Sequence, residues 1–273
     1  MVKLSACIEP FFSELPYAER IRRVAELGFT AYEFWFHDQR FDGVNLVPEM
    51  KDFDQIAELN ARYKLSTTDF VFNHPGGGVV ASLIDAKDRP RLLDSIEASI
   101  GMAKKIGCHA LISGSGNNVP GLAREKALDS MTEGLAALAP ICGRNGITLI
   151  VEPFNTRVDH PGYFLDSPGT CVEVLKRVNS PSVKMLYDIY HMQIMDGNIL
   201  SFVKENLPYI GHFHVAGVPG RHEPSPSELD YPFILKQIDA MGYTGYFGLE
   251  YWPTGDAAAS LARTMRELTG GLT

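Results

Sequence analysis

Tyr209-Ile210-Gly211-His212-Phe213-His214-Val215-Ala216, followed by Gly217-Val218-Pro219-Gly220-Arg221-His222-Glu223-Pro224, is a short apolar run that carries two histidines and empties into a loop of turn formers and charges. The run reads as a buried strand ending at a site. Side chains alternate faces along a strand, so His212 and His214 share one face, and His214 lies nearer the carboxyl end where the chain turns polar. His214 is therefore the better candidate ligand. Taken alone, a histidine in such a strand is more often a core imidazole satisfied by hydrogen bonds. Its neighbours along the chain change that reading.

Cut at its turn signals, the chain repeats one unit, a β-rich run followed by a helical pattern. Strands are expected over 2–8, 31–36, 65–72, 110–113, 147–152, 183–188, 210–215 and 246–250. Helices follow near 16–27, 50–62, 88–106, 122–144, 167–178, 192–205, 232–241 and 257–268, the first closing at Gly28, where a C-cap belongs. The loops after strands are longer and richer in glycine than those before them, as in His74-Pro75-Gly76-Gly77-Gly78 and Gly114-Ser115-Gly116-Asn117-Asn118. Near-continuous apolar strands buried on both faces form parallel sheets, and eight alternations close a barrel at about 250 residues. The fold class is thus α/β, a single (β/α)8 TIM barrel over residues 1–273. A doubly wound open sheet is the alternative, but it needs a glycine fingerprint after an early strand, and Ile8-Glu9-Pro10-Phe11 offers none.

Composition narrows the partners. With 45% hydrophobic and 21% charged residues, the chain can bury a sizeable core. A net charge of -8 without a Lys/Arg cluster argues against nucleic acid and anionic membrane, since phosphate binding needs a concentrated positive field. Small molecules are the expected partners. No apolar run approaches the ~20 residues that span a bilayer, and the first residues lack a signal-peptide core, so a cytoplasmic location is expected. Cys7, Cys108, Cys142 and Cys171 have no metal-binding spacing and read as reduced structural thiols.

Barrel enzymes carry their chemistry at the carboxyl ends of the strands. Glu152 closes the fifth strand, Asp188 the sixth, His214 the seventh and Glu250 the eighth. A single carboxylate at a strand end is usually a solvated edge; four strands in succession make a constellation. Three carboxylates and an imidazole at one mouth repel unless a cation joins them. A divalent metal resolves this, Mg²⁺ or Mn²⁺ being favoured by the oxygen-rich set, with Co²⁺ and Zn²⁺ left open by the histidine. Such an ion polarises a carbonyl and stabilises an enediolate, while Glu152 and Glu250 serve as base and acid.

The runs Glu152-Pro153-Phe154-Asn155-Thr156-Arg157, Pro161-Gly162-Tyr163-Phe164-Leu165, Tyr187-Asp188-Ile189-Tyr190-His191-Met192 through Gly197, and Pro219-Gly220-Arg221-His222-Glu223-Pro224 resemble the hydroxypyruvate isomerase family, one of the xylose-isomerase-like barrels. The likeness extends from Glu14-Leu15-Pro16 to Glu250-Tyr251 and is most specific in the second half. It implies isomerisation of a small hydroxy-oxo acid, as in hydroxypyruvate to 2-hydroxy-3-oxopropanoate. It also implies proton exchange by Glu152 and Glu250 and a metal at Glu152, Asp188, position 214 and Glu250. Many hydroxypyruvate isomerases carry glutamine where this chain has His214, whereas related ketose 3-epimerases carry histidine. The segment Val158-Asp159-His160 is slightly longer than the family's usual run.

His191, three residues after Asp188, either meets substrate or orients Asp188. Arg221 is the better candidate for a substrate carboxylate, with pairing to Glu223 as its alternative, and Arg157 reads as structural. His74 and the Gly114–Gly116 loop fall on the active face, but no phosphate-loop pattern accompanies them. Glu33 and His37 either line the pocket or belong to a packed aromatic strand. Exposed aromatics such as Trp252 or the Phe11-Phe12 loop could serve a homo-oligomer interface. The rival readings are a ketose 3-epimerase on the same metal and glutamate pair, a non-catalytic sugar-acid binding protein, and a DNA-repair endonuclease. The last is disfavoured by the negative charge and by the expectation of no further histidine and carboxylate ligands for a multi-zinc centre.

Overall fold

The computed structural model describes residues 2–72 and 82–270. Eight parallel strands close a barrel: β1 (Lys3–Cys7), β2 (Ala31–Phe34), β5 (Ser66–Val71), β6 (Ala110–Ser113), β7 (Thr148–Val151), β8 (Val183–Asp188), β9 (Ile210–Val215) and β10 (Tyr246–Leu249). Each strand pairs with its sequential barrel neighbour, and β10 returns to β1. Helices α1 (Tyr17–Glu26), α2 (Phe53–Tyr63), α3 (Arg89–Lys105), α4 (Arg124–Arg144), α5 (Pro168–Val178), α6 (Ile189–Met195), α7 (Ile199–Asn206), α8 (Tyr231–Ala240) and α9 (Ala257–Thr269) form the outer layer. The expected barrel and its strand order are therefore found. Among the described residues no helix is long and apolar enough to cross a membrane.

Strand alternation divides each strand between two environments. Leu111, Leu149, Met185, Tyr187 and Phe213 join the main apolar layer. The alternate residues Ile112, Ile150 and Leu186 form a separate small cluster inside the barrel. On the opposite wall the interior is polar: Glu33 on β2, Asp69 on β5 and His212 on β9 are all buried. The four cysteines are free and buried.

Three local features depart from the expected elements. The stretch read as one helix over 192–205 is two, because Gly197 and Asn198 both take positive φ (62° and 50°) and break the backbone between α6 and α7. Helix α2 starts at Phe53 because the Asp52 side chain accepts from the Asp54 and Gln55 N–H groups. A hairpin, β3 (Gln39–Phe41) with β4 (Leu46–Pro48), crosses the rim between β2 and α2, a segment to which no element was assigned. The Phe11-Phe12 loop, read as an exposed candidate interface, is instead buried at 0% and 5% exposure, with Phe11 packed edge-on against Tyr251.

That hairpin is tied down by buried charge. Arg20 is fully buried and donates to the carbonyls of Leu15, Ile8, Glu9, Ser13 and Phe41. Glu9 faces both Arg20 at 3.7 Å and the buried Lys51 at 3.3 Å, and it accepts the Phe41 N–H at 3.1 Å. Five carbonyls gathered on one guanidinium hold the β1–α1 loop and the hairpin in one place. Arg20→Ala should lower unfolding stability by about 3–5 kcal/mol in urea titration, the scale of removing one partner of a buried ion pair; a loss below about 1 kcal/mol would show that the girdle does not hold the rim.

Candidate active site

Glu152 directly follows β7, Asp188 is the last residue of β8, His214 is the penultimate residue of β9, and Glu250 directly follows β10. All four are buried, at 4%, 0%, 2% and 7% exposure. One ligating atom from each lies within 4.8 Å of the others. His214 Nδ1 is 3.4 Å from Glu152 Oε1 and 3.3 Å from Glu250 Oε2. Asp188 divides its carboxylate: Oδ1 accepts from the N–H groups of Tyr190 (2.7 Å) and His191 (3.3 Å) as the cap of α6. Its Oδ2 makes no hydrogen bond, and neither do Glu152 Oε1 and His214 Nδ1.

Buried acceptors without donors are costly. Two such carboxylate oxygens converging with His214 Nδ1 at one mouth, with the Glu250 carboxylate alongside, make a buried acid–imidazole cluster compatible with a divalent metal ion. The protonation of the cluster is uneven. Burial pushes the Glu152 carboxyl up to about 7 and Asp188 up to about 6. Burial also opposes charge on Glu250, yet Arg221 and His214 outweigh it and hold that carboxyl well below the usual range.

The groups around the cluster fix Glu250 and His191. Arg221, at positive φ (58°), places Nη2 2.5 Å from Glu250 Oε2 and 3.9 Å from Asp188 Oδ2. Its partners are thus the strand-end carboxylates and not Glu223, which is engaged by Thr254 and Ser260. Trp35 Nε1 donates to Glu250 Oε1 at 2.6 Å, from an aromatic wall in which Trp35, Phe41 and Trp252 pack together. His191 Nδ1 meets the Asn155 amide at 2.7 Å, which turns Nε2 toward Asp188 Oδ2 at 3.5 Å. Arg157 donates to the Ile194 carbonyl, in keeping with its structural reading.

Sequence reasoning missed several neighbours. Asn155 also donates to Asp159, and His160 stacks on Phe154 at 4.3 Å and meets His191 edge-on at 5.4 Å, so the lengthened Val158–His160 segment reaches the His191 side of the mouth. Trp35, just after β2, reads in the sequence only as one member of a packed aromatic run, with no sign of its bond to Glu250. The expectation of no further histidine and carboxylate ligands is corrected: Glu33, Asp69 and His212 gather with His214 in a second buried group directly beneath the first. Glu33 thus points into the barrel rather than packing in an aromatic layer. The Gly114–Gly116 loop is stitched to the segment after β7, with the Ser115 N–H on Tyr163 Oη and Ser115 Oγ accepting from Leu165. His74 lies outside the described residues.

The xylose isomerase-like TIM barrel family model matches residues 21–268. The chain belongs to the xylose isomerase-like TIM barrel family. A Danio rerio protein with the provisional name hydroxypyruvate isomerase is 33% identical, over 95% of this chain and 93% of its own. The 2-oxo-tetronate isomerase of Cupriavidus necator is 30% identical over 96% of each chain. A crystal structure from Brucella melitensis described as an AP endonuclease of family 2 superposes with a TM-score of 0.86 at 32% identity, covering 97% of this chain and 98% of that one. The family's barrel and the strand-end cluster thus coincide in this chain.

Ligand carboxylates must lose their protons before a cation can bind. Because burial raises Glu152 to about 7 and Asp188 to about 6, and the surrounding carboxylates hold the His214 imidazole protonated well above its ordinary range, divalent-ion affinity should rise with pH through neutrality. Calorimetric titration with Mn²⁺ in buffers of different ionisation heat should show protons released on binding over that range. Affinity and proton release that do not change with pH would contradict this assignment.

Proposed function

We propose that this isomerase interconverts a short hydroxy-oxo acid with its carbonyl-shifted isomer, hydroxypyruvate to 2-hydroxy-3-oxopropanoate being the type reaction. The observation that carries the reading is the pair of glutamates, Glu152 Oε1 and Glu250 Oε2, set on the same imidazole nitrogen at 3.4 and 3.3 Å. Two carboxylates converging on one point can flank a single two-carbon unit. The names of the relatives support the substrate class: hydroxypyruvate for the Danio rerio protein and 2-oxo-tetronate for that of Cupriavidus necator.

Glu152, Asp188, His214 and Glu250 would hold a divalent ion, Mg²⁺ or Mn²⁺ by preference with Co²⁺ and Zn²⁺ as further candidates, and when bound it withdraws charge from neighbouring oxygens and lowers the cost of developing negative charge. The chain's own residues do the rest. One glutamate takes the proton from the hydroxyl-bearing carbon, leaving an enediolate, the hydroxyl proton passes from that carbon's oxygen to the former carbonyl oxygen, and the other glutamate delivers a proton to the adjacent carbon, so the carbonyl moves by one position with no net change in atoms. The raised Glu152 carboxyl is suited to exchanging a proton near neutral pH, whereas Glu250 is anchored through both oxygens by Trp35 and Arg221. Arg221 engages Glu250 through one terminal nitrogen, and its remaining donors suit a substrate carboxylate. His191, oriented by Asn155, offers its Nε2–H to a substrate oxygen or to Asp188.

His214 keeps a second reading open, because histidine at this position also suits a ketose 3-epimerase using the same glutamate pair. Proton NMR in D₂O with Mg²⁺ or Mn²⁺ separates the two. Loss of the hydroxypyruvate CH₂ signal with growth of the aldehyde hydrate is expected, and exchange confined to C3 of a neutral ketose would move the protein to the epimerases. Glu152→Gln should reduce turnover by about 10² or more with an unchanged circular dichroism spectrum, the scale for a positioned acid–base group; near-normal turnover would remove Glu152 from that role.

A further inference from the structure

The second buried group has no part in the reaction as described, yet it shares His214 with the first. An imidazole is rigid and its two nitrogens point in divergent directions, so the surroundings of one fix the use of the other. Nδ1 of His214 faces the mouth, between Glu152 and Glu250. Nε2 faces the barrel interior, 3.0 Å from Glu33 Oε1. Neither nitrogen makes an aligned hydrogen bond in this geometry.

Glu33 is itself held from behind. Its Oε2 accepts from His212 Nε2 at 3.1 Å and from Thr68 Oγ1 at 3.1 Å, and His212 Nε2 also lies 3.4 Å from Asp69 Oδ2. These contacts leave Oε1 facing His214. The barrel makes room for this on the adjoining strand. Gly248 of β10 is the register partner of His214, and a Cβ there would stand 2.2 Å from Glu33 Oε1. Any side chain at 248 would push the Glu33 carboxylate off its place beneath the imidazole.

We propose that Glu33, braced by His212 and Asp69 and admitted by Gly248, is the positioning residue that holds a proton on His214 Nε2 and so leaves Nδ1 as the nitrogen that serves the catalytic mouth. A carboxylate carries no hydrogen to donate, so the contact at Nε2 calls for a proton there; Nδ1 also faces carboxylates, Glu152 and Glu250, and with Nε2 held by Glu33 it is the nitrogen that a cation at the mouth would take. The inference rests on the reading of Nδ1 as a metal ligand. Glu33 acts through His214 and does not itself touch substrate.

The test is a double-mutant cycle read by metal affinity, with a metal-free spectroscopic arm. Wild type should bind one Mn²⁺ per chain, and Glu33→Gln, which keeps shape and loses the anionic oxygen, should weaken binding by about 10- to 100-fold. In a His214→Gln background the same change should cost less than about 3-fold, because the group it orients is gone. Gly248→Ala should weaken binding in the same direction although no charge is altered. An equal cost of Glu33→Gln in both backgrounds, together with an unaffected Gly248→Ala, would overturn the proposal in favour of long-range charge alone. Binding of two ions per chain, with one lost in Glu33→Gln, would overturn it in favour of a second metal site. In the metal-free protein, proton NMR should show a slowly exchanging His214 Nε2–H, assigned by its loss in His214→Gln and shifted in Glu33→Gln. Should wild type bind no ion, the functional reading fails, and this resonance still decides the proposal: its absence, or its indifference to Glu33→Gln, overturns it.

Discussion

Burying carboxylates inside a closed barrel is the constraint on which this structure turns. Glu33, Asp69, Glu152, Asp188 and Glu250 are each below 8% exposure, on or directly after barrel strands at positions that alternation directs inward. Water cannot compensate them there, so the protein must. It does so unevenly. Arg221 and Trp35 occupy both oxygens of Glu250, and His212 and Thr68 occupy one oxygen of Glu33. Glu152 and Asp188 each keep one oxygen without any donor. Beneath them Glu33 Oε1 and both oxygens of Asp69 also lack a donor, so uncompensated charge runs through both layers of the cluster.

His214 is the hinge between the two layers. It contacts Glu152 and Glu250 above and Glu33 below, and its strand partners in register are Asp188 on one side and Gly248 on the other. The glycine leaves the space that the Glu33 carboxylate fills, in a barrel interior that also holds His212 and the Ile112, Ile150 and Leu186 cluster. The apolar half of the interior gives the barrel a dry wall, and the polar half gives the imidazole a charged seat. The rim is held separately by Arg20, Glu9 and Lys51, which keep the β3–β4 hairpin and Phe41 against Trp35 and Trp252 and so keep Trp35 on Glu250.

The barrel was legible in the sequence because each strand is an apolar run bounded by turn formers, and because four strands in succession end in Glu152, Asp188, His214 and Glu250. Those residues meet as their positions at the strand ends require. What escaped the sequence depends on separation along the chain. Glu33 and His212 touch across 179 residues, and Trp35 and Glu250 across 215. Within its own strand Glu33 is one polar residue among aromatics, and Gly248 is one glycine in an apolar run, so neither carries a local pattern that announces its role. The hairpin was missed because its strands are three residues each and mostly exposed, with little periodicity to detect. The break between α6 and α7 had a signal in Asp196-Gly197-Asn198, a turn sequence inside an otherwise helical pattern.

The most direct measurement is anomalous diffraction from crystals grown with Mn²⁺. One peak per chain is predicted, bounded by Glu152, Asp188, His214 Nδ1 and Glu250, with Glu33, Asp69 and His212 making no contact to the ion. A peak seated instead among Glu33, Asp69 and His212, or no peak at saturating Mn²⁺, would contradict a strand-end metal centre supported from below by protein groups alone.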